Sequence, residues 1–216
     1  MSKRLVLPRL YVILDSALRN IPVQDCAQEL ADAGVRLLQY RSKTEPALSL
    51  FHTSRKLASL LIPLGVSFFV NDRPDIAIAS EASGVHVGQD DLDVEATRGL
   101  VGNEKLIGVS THNLEQFQVA AATSADYIAV GPVFATSSKA NPDPVIGTEF
   151  VRAVRDLTDK PIVAIGGITL ENVASVIHAG ADCVAVISDV LRAKDRAHRV
   201  RQYLETLGSV NRTAAV

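Results

Sequence analysis

A chain of 216 residues, 47% hydrophobic and 21% charged, carries enough apolar material for one sizeable core. Its 22 basic and 24 acidic residues are well mixed around a net charge of -2, so no basic stripe marks a nucleic-acid partner and no acidic tail appears. No apolar run approaches the roughly 18 residues of a membrane span, the basic start lacks the apolar run of a signal peptide, and two cysteines without a partner motif fit buried thiols. A cytoplasmic protein with small-molecule partners is expected, with homo-oligomers left open.

Eight short apolar runs read as strands: 10–14, 35–41, 66–70, 84–88, 105–110, 127–133, 161–165 and 183–188. Most are continuous rather than alternating, as in parallel strands buried on both faces. Stretches of helical spacing separate them, at 23–33, 47–61, 74–79, 92–100, 114–122, 148–157, 170–179 and 196–207. Asn113 and Thr169 are expected N-caps, and Gly34, Gly65 and Gly180 stand where helices stop. Strict β-α alternation predicts an α/β fold with a parallel sheet, a (β/α)8 TIM barrel over residues 1–216 with its core at about 9–207. An open doubly wound sheet is the rival, because alternation alone does not close a barrel.

Polar residues collect after the strands. Asp15 follows the first; Gln39, Arg41 and Lys43 the second; Asn71 and Asp72 the third; Gln89 and Asp91 the fourth; Ser110 and His112 the fifth. A polar loop with Thr136, Ser137, Ser138 and Lys139 follows the sixth, Gly166 and Gly167 the seventh, and Ser188 ends the eighth. Barrel enzymes build their sites from these βα loops. If the second strand continues, Gln39, Arg41 and Lys43 share one face, and a basic pair entering a barrel mouth calls for an anion. Asp72 and Asp91 either converge on Mg²⁺ or cap the helices that follow them, with Asp90 and Asp93 as competing ligands. His86 packs in the barrel, and His112 is catalytic or orients a loop. The loop after residue 133 is longer than most, which fits a lid or a binding segment. The glycine pair either only turns the chain or opens backbone N–H groups to a phosphate, with Ser188 beside them. No covalent nucleophile motif is visible.

These segments together resemble the thiamine phosphate synthase family: Gln-Tyr-Arg-Ser-Lys at 39–43, Val-Asn-Asp at 70–72, His-Val-Gly-Gln-Asp-Asp at 86–91 and Gly-Val-Ser-Thr-His at 108–112. The likeness continues in Gly-Pro-Val-Phe-Ala-Thr-Ser-Ser-Lys at 131–139, Ile-Gly-Gly-Ile at 165–168, Ala-Gly-Ala-Asp at 179–182 and Val-Ile-Ser at 186–188. The resemblance implies a (β/α)8 barrel that joins hydroxymethylpyrimidine diphosphate to a thiazole phosphate, with Mg²⁺ as cofactor. It implies that Gln39, Arg41, Lys43, Asn71, Ser110 and Lys139 hold the pyrimidine diphosphate, with Tyr40 and Ser42 in the same motif. Asp72 and Asp91 are the implied metal ligands. Thr136, Ser138, Gly167, Ile187 and Ser188 are implied for the thiazole phosphate, and Ser137 is a further substrate-binding candidate of the same loop. Arg41, Lys43, Ser110 and Lys139 are the expected catalytic groups. The chain departs from many members at Thr44, at the Thr136-Ser-Ser-Lys139 run and in residues 140–145. Thiazole tautomerase on the same scaffold, a sugar-phosphate isomerase or epimerase, and a non-catalytic phosphate-binding barrel are the rival functions.

Overall fold

Parallel neighbours cannot be joined by a two-residue turn, so each short apolar run needs a crossover, and the amphipathic segments supply it. The computed structural model describes residues 5–18, 21–136 and 143–210. Eight parallel strands close into a barrel in sequence order, which removes the open-sheet alternative. They are β1 (Leu10–Asp15), β2 (Leu37–Arg41), β3 (Ser67–Asn71), β4 (Gly84–Val87), β5 (Leu106–Thr111), β6 (Tyr127–Val130), β7 (Ile162–Ile165) and β8 (Cys183–Val186). The helices around them are α1 (Val23–Asp32), α2 (Ala47–Leu61), α3 (Pro74–Ala79), α4 (Val94–Val101), α5 (Leu114–Ala122), α6 (Gly147–Arg155), α7 (Val173–His178), a short α8 (Ser188–Leu191) and α9 (Arg196–Ser209). No helix among the described residues is long and apolar enough to cross a membrane.

Alternation along each strand divides the core in two. Leu10, Val12, Leu14, Leu38, Val70, Val85 and Ile128 face the helices and join their apolar stripes in the larger cluster. Tyr11, Leu37, Phe69, Tyr127, Val163 and Cys183 belong to the smaller one, which fills the barrel. Three aromatic rings meet edge to face there, with centroids 5.8 to 6.2 Å apart for Phe69–Tyr127 and Tyr11–Tyr127. Their bulk dictates glycine on a neighbouring strand. A Cβ at Gly108 would lie 2.0 Å from the Tyr127 ring.

The N-terminal ends of the strands are tied by cations bound to main-chain carbonyls. Arg155 donates to Thr158 O at 2.6 Å, Lys160 O at 3.0 Å and Asp182 Oδ2 at 2.5 Å. Asp182 Oδ2 also accepts the Ile162 N–H at 2.9 Å, joining the starts of β7 and β8. Arg98 repeats the device: it donates to Gly102 O, Lys105 O, Ser124 O and Asp126 Oδ2, and Asp126 accepts the Ile107 N–H at 2.7 Å. Both units join two strands that a helix separates in sequence.

Several expected boundaries shift. Strand β8 ends at Val186, so Ser188 is the first residue of α8 and not a strand end. Strand β6 ends at Val130, before the glycine–proline step that begins its loop. Asn113 caps α5 by accepting from Gln116 N, as expected. Thr169 does not cap α7: Asn172 is its N-cap residue, and the Asn172 side chain accepts the Thr169 N–H at 2.9 Å. Gly34, Gly65 and Gly180 hold left-handed φ values of 110°, 74° and 107°, as helix stops require.

Candidate active site

A cavity of about 270 Å³ opens at the C-terminal ends of the strands. Its lining includes Gln39, Arg41, Asn71 and Ser110 from β2, β3 and β5, and Gly166, Gly167, Ile187 and Ser188 from the segments after β7 and β8. Thr136 lines it from the loop after β6. Eight of the expected site residues are thus gathered on one cavity: Gln39, Arg41, Asn71, Ser110, Thr136, Gly167, Ile187 and Ser188. Ser137, Ser138 and Lys139 lie outside the described residues.

The second strand does not carry its basic pair as expected. Strand β2 stops at Arg41, so alternation does not extend to Lys43. Where the β1–β2 ladder ends at Asp15 opposite Arg41, the Ser16 N–H bonds Arg41 O at 2.9 Å. Ser16 Oγ then holds Ser42 Oγ, also at 2.9 Å. Arg41 is paired with Asp15, and Lys43 reaches across to Asp72. Within the chain, the anions that meet these cations are carboxylates. Tyr40 points the other way, into the layer under the helices, with its hydroxyl donating to Glu45 Oε2 at 2.9 Å.

Neither Asp72 nor Asp91 caps a helix. The N-cap of α3 is Arg73 and makes no side-chain cap bond. Asp93 caps α4, accepting from Ala96 N at 2.8 Å. Asp91 Oδ2 instead accepts the Gly88 N–H at 2.8 Å. Asp72 sits in the left-handed region, φ 61°, with its N–H bonded to His86 O at 2.7 Å. Burial first, and then the neighbouring Asp72 carboxylate, push the Asp91 carboxyl above its ordinary value, with the Gly88 N–H and, less, Lys43 working the other way. Two carboxylates crowded in this manner are stabilised by a cation between them. Among the described residues no group of three or more His, Cys, Asp or Glu forms a metal cluster. As hard oxygen donors, Asp72 and Asp91 fit an ion that takes one or two carboxylates and completes its shell with substrate phosphates and water, as Mg²⁺ does.

Across the cavity, Gly166 and Gly167 hold φ values of 98° and 62°. Close approach of the β6 loop requires both to be glycine. A Cβ at Gly166 would lie 2.4 Å from Pro132 Cβ, and one at Gly167 would lie 2.3 Å from Ala135 O. Asn172 braces the turn by donating to Gly167 O at 3.0 Å. With α8 starting at Ser188, this wall has the parts of the recurrent barrel phosphate site: the loops after strands seven and eight and a short extra helix.

The floor holds what the sequence did not reveal. Gln39 Nε2 donates to Tyr11 Oη at 2.8 Å, and Tyr11 Oη meets Tyr127 Oη at 3.2 Å. Tyr127 Oη lies 2.9 Å from His86 Nδ1, and His86 Nε2 lies 2.8 Å from Ser110 Oγ. This chain of five side chains from five strands begins and ends on cavity-lining residues. The second histidine has a different task. His112 Nδ1 donates to Gly131 O at 2.6 Å and its Nε2 lies 3.5 Å from Asp143 Oδ2, so His112 orients the loop after β6. Gln89 supports the floor by donating to Ser110 O at 2.7 Å.

Comparison with known proteins agrees with this architecture. The profile of the thiamine monophosphate synthase family matches residues 10–190. The thiamine-phosphate synthase of Koribacter versatilis is 50% identical over 97% of this chain and 100% of its own length. That of Chloroflexus aurantiacus is 43% identical over 96% of each chain. The solved thiamine phosphate pyrophosphorylase of Pyrococcus furiosus superposes with a TM-score of 0.85 at 31% identity, covering 94% of this chain and 96% of that one. A match spanning every strand and all but the last helix, with relatives aligned nearly end to end, settles the grouping: the chain is a transferase and belongs to the thiamine monophosphate synthase family.

Proposed function

We propose that the enzyme condenses 4-amino-2-methyl-5-hydroxymethylpyrimidine diphosphate with a thiazole phosphate, or its carboxylate, to give thiamine phosphate and diphosphate. The observation that carries this reading is the division of one cavity into two polar walls. Gln39, Arg41, Asn71 and Ser110 come from β2, β3 and β5, and the glycine turn with Ser188 from another arc of the barrel, after β7 and β8. That separation suits two anionic substrates that meet at their uncharged ends. Arg41 offers a guanidinium fork to the diphosphate and Lys43 a compact charge. Their carboxylate partners Asp15 and Asp72 hold them in place until an anion arrives. Asp72 and Asp91 would hold Mg²⁺, which would supply charge neutralisation to the diphosphate. Thr136, Gly167, Ile187 and Ser188 take the single phosphate of the thiazole; by family motif Ser138 is assigned to the same phosphate and Lys139 to the pyrimidine diphosphate, with Ser137 a substrate-binding residue of the same loop.

The bond between the pyrimidine methylene carbon and the diphosphate oxygen breaks first, and its electron pair leaves with the diphosphate. The thiazole nitrogen then attacks the methylene carbon of the resonance-stabilised pyrimidine cation; with the carboxylated thiazole, CO₂ is lost. Residues of the chain bind, orient and stabilise charge, and none needs to bond covalently to substrate. The test mixes the purified protein with both substrates and Mg²⁺ and follows diphosphate and thiamine phosphate together. Release that needs both substrates and stops with EDTA is expected. No diphosphate released, or no thiamine phosphate formed, with both substrates and Mg²⁺ present would refute the condensation.

A further inference from the structure

The Ser110–His86 contact has the outline of a nucleophile and its base, with Tyr127 in the place of an orienting group. Whether it works as one depends on which imidazole nitrogen carries the hydrogen. That is decided inside the barrel. Gln39 donates its amide N–H to Tyr11 Oη. Tyr11, accepting there, turns its own hydrogen toward Tyr127 Oη, its other side-chain hydrogen-bond partner among the described residues. Tyr127 accepts from Tyr11 and directs its hydrogen to His86 Nδ1. Nδ1 is then an acceptor, so the neutral ring carries its hydrogen on Nε2, facing Ser110 Oγ. Burial pushes both phenols well above their ordinary range, so each keeps the hydrogen that the chain needs.

We propose that the buried chain Gln39–Tyr11–Tyr127–His86 fixes His86 as its Nε2–H tautomer and so makes Ser110 a hydrogen-bond donor to the cavity instead of a nucleophile. The His86 Nε2–H occupies a lone pair of Ser110 Oγ and cannot accept the serine proton. The hydroxyl hydrogen is left for the ligand. In the condensation proposed above, on which this role rests, the departing diphosphate oxygen takes the electron pair of the broken C–O bond. Ser110 donates a hydrogen bond to that anion and keeps its proton. The opposite polarity would be harmful. A serine oxygen stripped of its proton by His86 would repel the diphosphate and could capture the pyrimidine cation as an ether, ending turnover. Tyr11, Tyr127 and His86 are thus positioning residues. Gln39 ties their polarity to a residue that itself lines the ligand cavity.

The test begins with the full chain, labelled with ¹⁵N-histidine and free of substrate. The His86 signals are assigned by elimination, using substitutions at His52, His112, His178 and His198. A protonated Nε2 and an unprotonated Nδ1 are expected. A protonated Nδ1 would mean that the Gln39 amide is turned and the chain runs the other way, which overturns the proposal. A fluorophosphonate serine probe should leave Ser110 unlabelled, and an adduct there also overturns it. Tyr127→Phe should release the tautomer bias and lower kcat about tenfold, as loss of one hydrogen bond to a charged group would. The KM for the thiazole phosphate should stay unchanged. Unchanged kcat sinks the positioning role. Should Tyr127→Phe fold poorly, Tyr11→Phe makes the same test one link farther back. If the wild-type protein formed no thiamine phosphate, the condensation would fall, while the tautomer and the probe would still decide the polarity.

Discussion

Arg155, at the N-terminal end of the barrel, and Arg41, at the C-terminal end, have nearly equal side-chain exposure, 17% and 18%. Burial does not distinguish them; their partners do. Arg155 donates to Asp182 and to two main-chain carbonyls of its own chain, which closes the corner between β7 and β8. Arg41 touches the single carboxylate of Asp15 and no main-chain carbonyl among the described residues. The same contrast holds between Arg98, with four acceptors, and Lys43, held by Asp72 alone among hydrogen-bond partners in the described residues. One end of the barrel satisfies its cations from within. The other leaves donor capacity to whatever enters, which is the division of labour between stability and function expected of barrel ends.

Substitutions that break each side of this contrast should separate cleanly. Asp72→Asn keeps the size and the tolerance of left-handed backbone but removes the charge. Turnover should fall on the order of 10²-fold or more, the scale of losing one electrostatic group at a reacting centre. The urea midpoint should barely move; full activity would remove Asp72 from the site. At the other end, Asp182→Ala leaves Arg155 and the Ile162 N–H without their shared acceptor. It should cost about 2 kcal/mol in urea unfolding and leave kcat and KM unchanged. A change in KM there would mean that the two ends are coupled. Arg41→Lys keeps the charge and loses the fork, so KM for the pyrimidine diphosphate should rise about tenfold in initial-rate kinetics, with stability unaltered. An unchanged KM would place Arg41 with the structural arginines.

Much of this was legible before folding. Apolar runs and helical spacing located each strand and its crossover, because parallel strands buried on both faces leave continuous hydrophobic segments. The polar residues after the strands pointed to the end of the barrel at which the cavity opens. The chain from Gln39 to Ser110 was not legible, because Tyr11, His86 and Tyr127 read singly as core residues. Only closure and register bring β1, β4 and β6 into contact across the interior. The glycine pair was legible as a special position but not in its cause. A phosphate approach predicts glycine there, yet Pro132 and Ala135 already fill the space a Cβ would take. Alanine at Gly167 therefore disturbs the loop that carries Thr136 as well as any ligand contact. Lys43 shared a face with Gln39 and Arg41 only if the strand continued; it ends at Arg41, and an alternating pattern cannot show where a ladder ends.

The left-handed backbone at Asp72 narrows the alphabet at that position in a way neither requirement does alone. Glycine, asparagine and aspartate accept that conformation readily. Aspartate and glutamate supply the negative charge. Aspartate is the one residue in both sets. Glutamate, the usual conservative exchange, would supply the charge at a greater backbone cost than aspartate, a cost this chain bears at Glu81, with φ 60°.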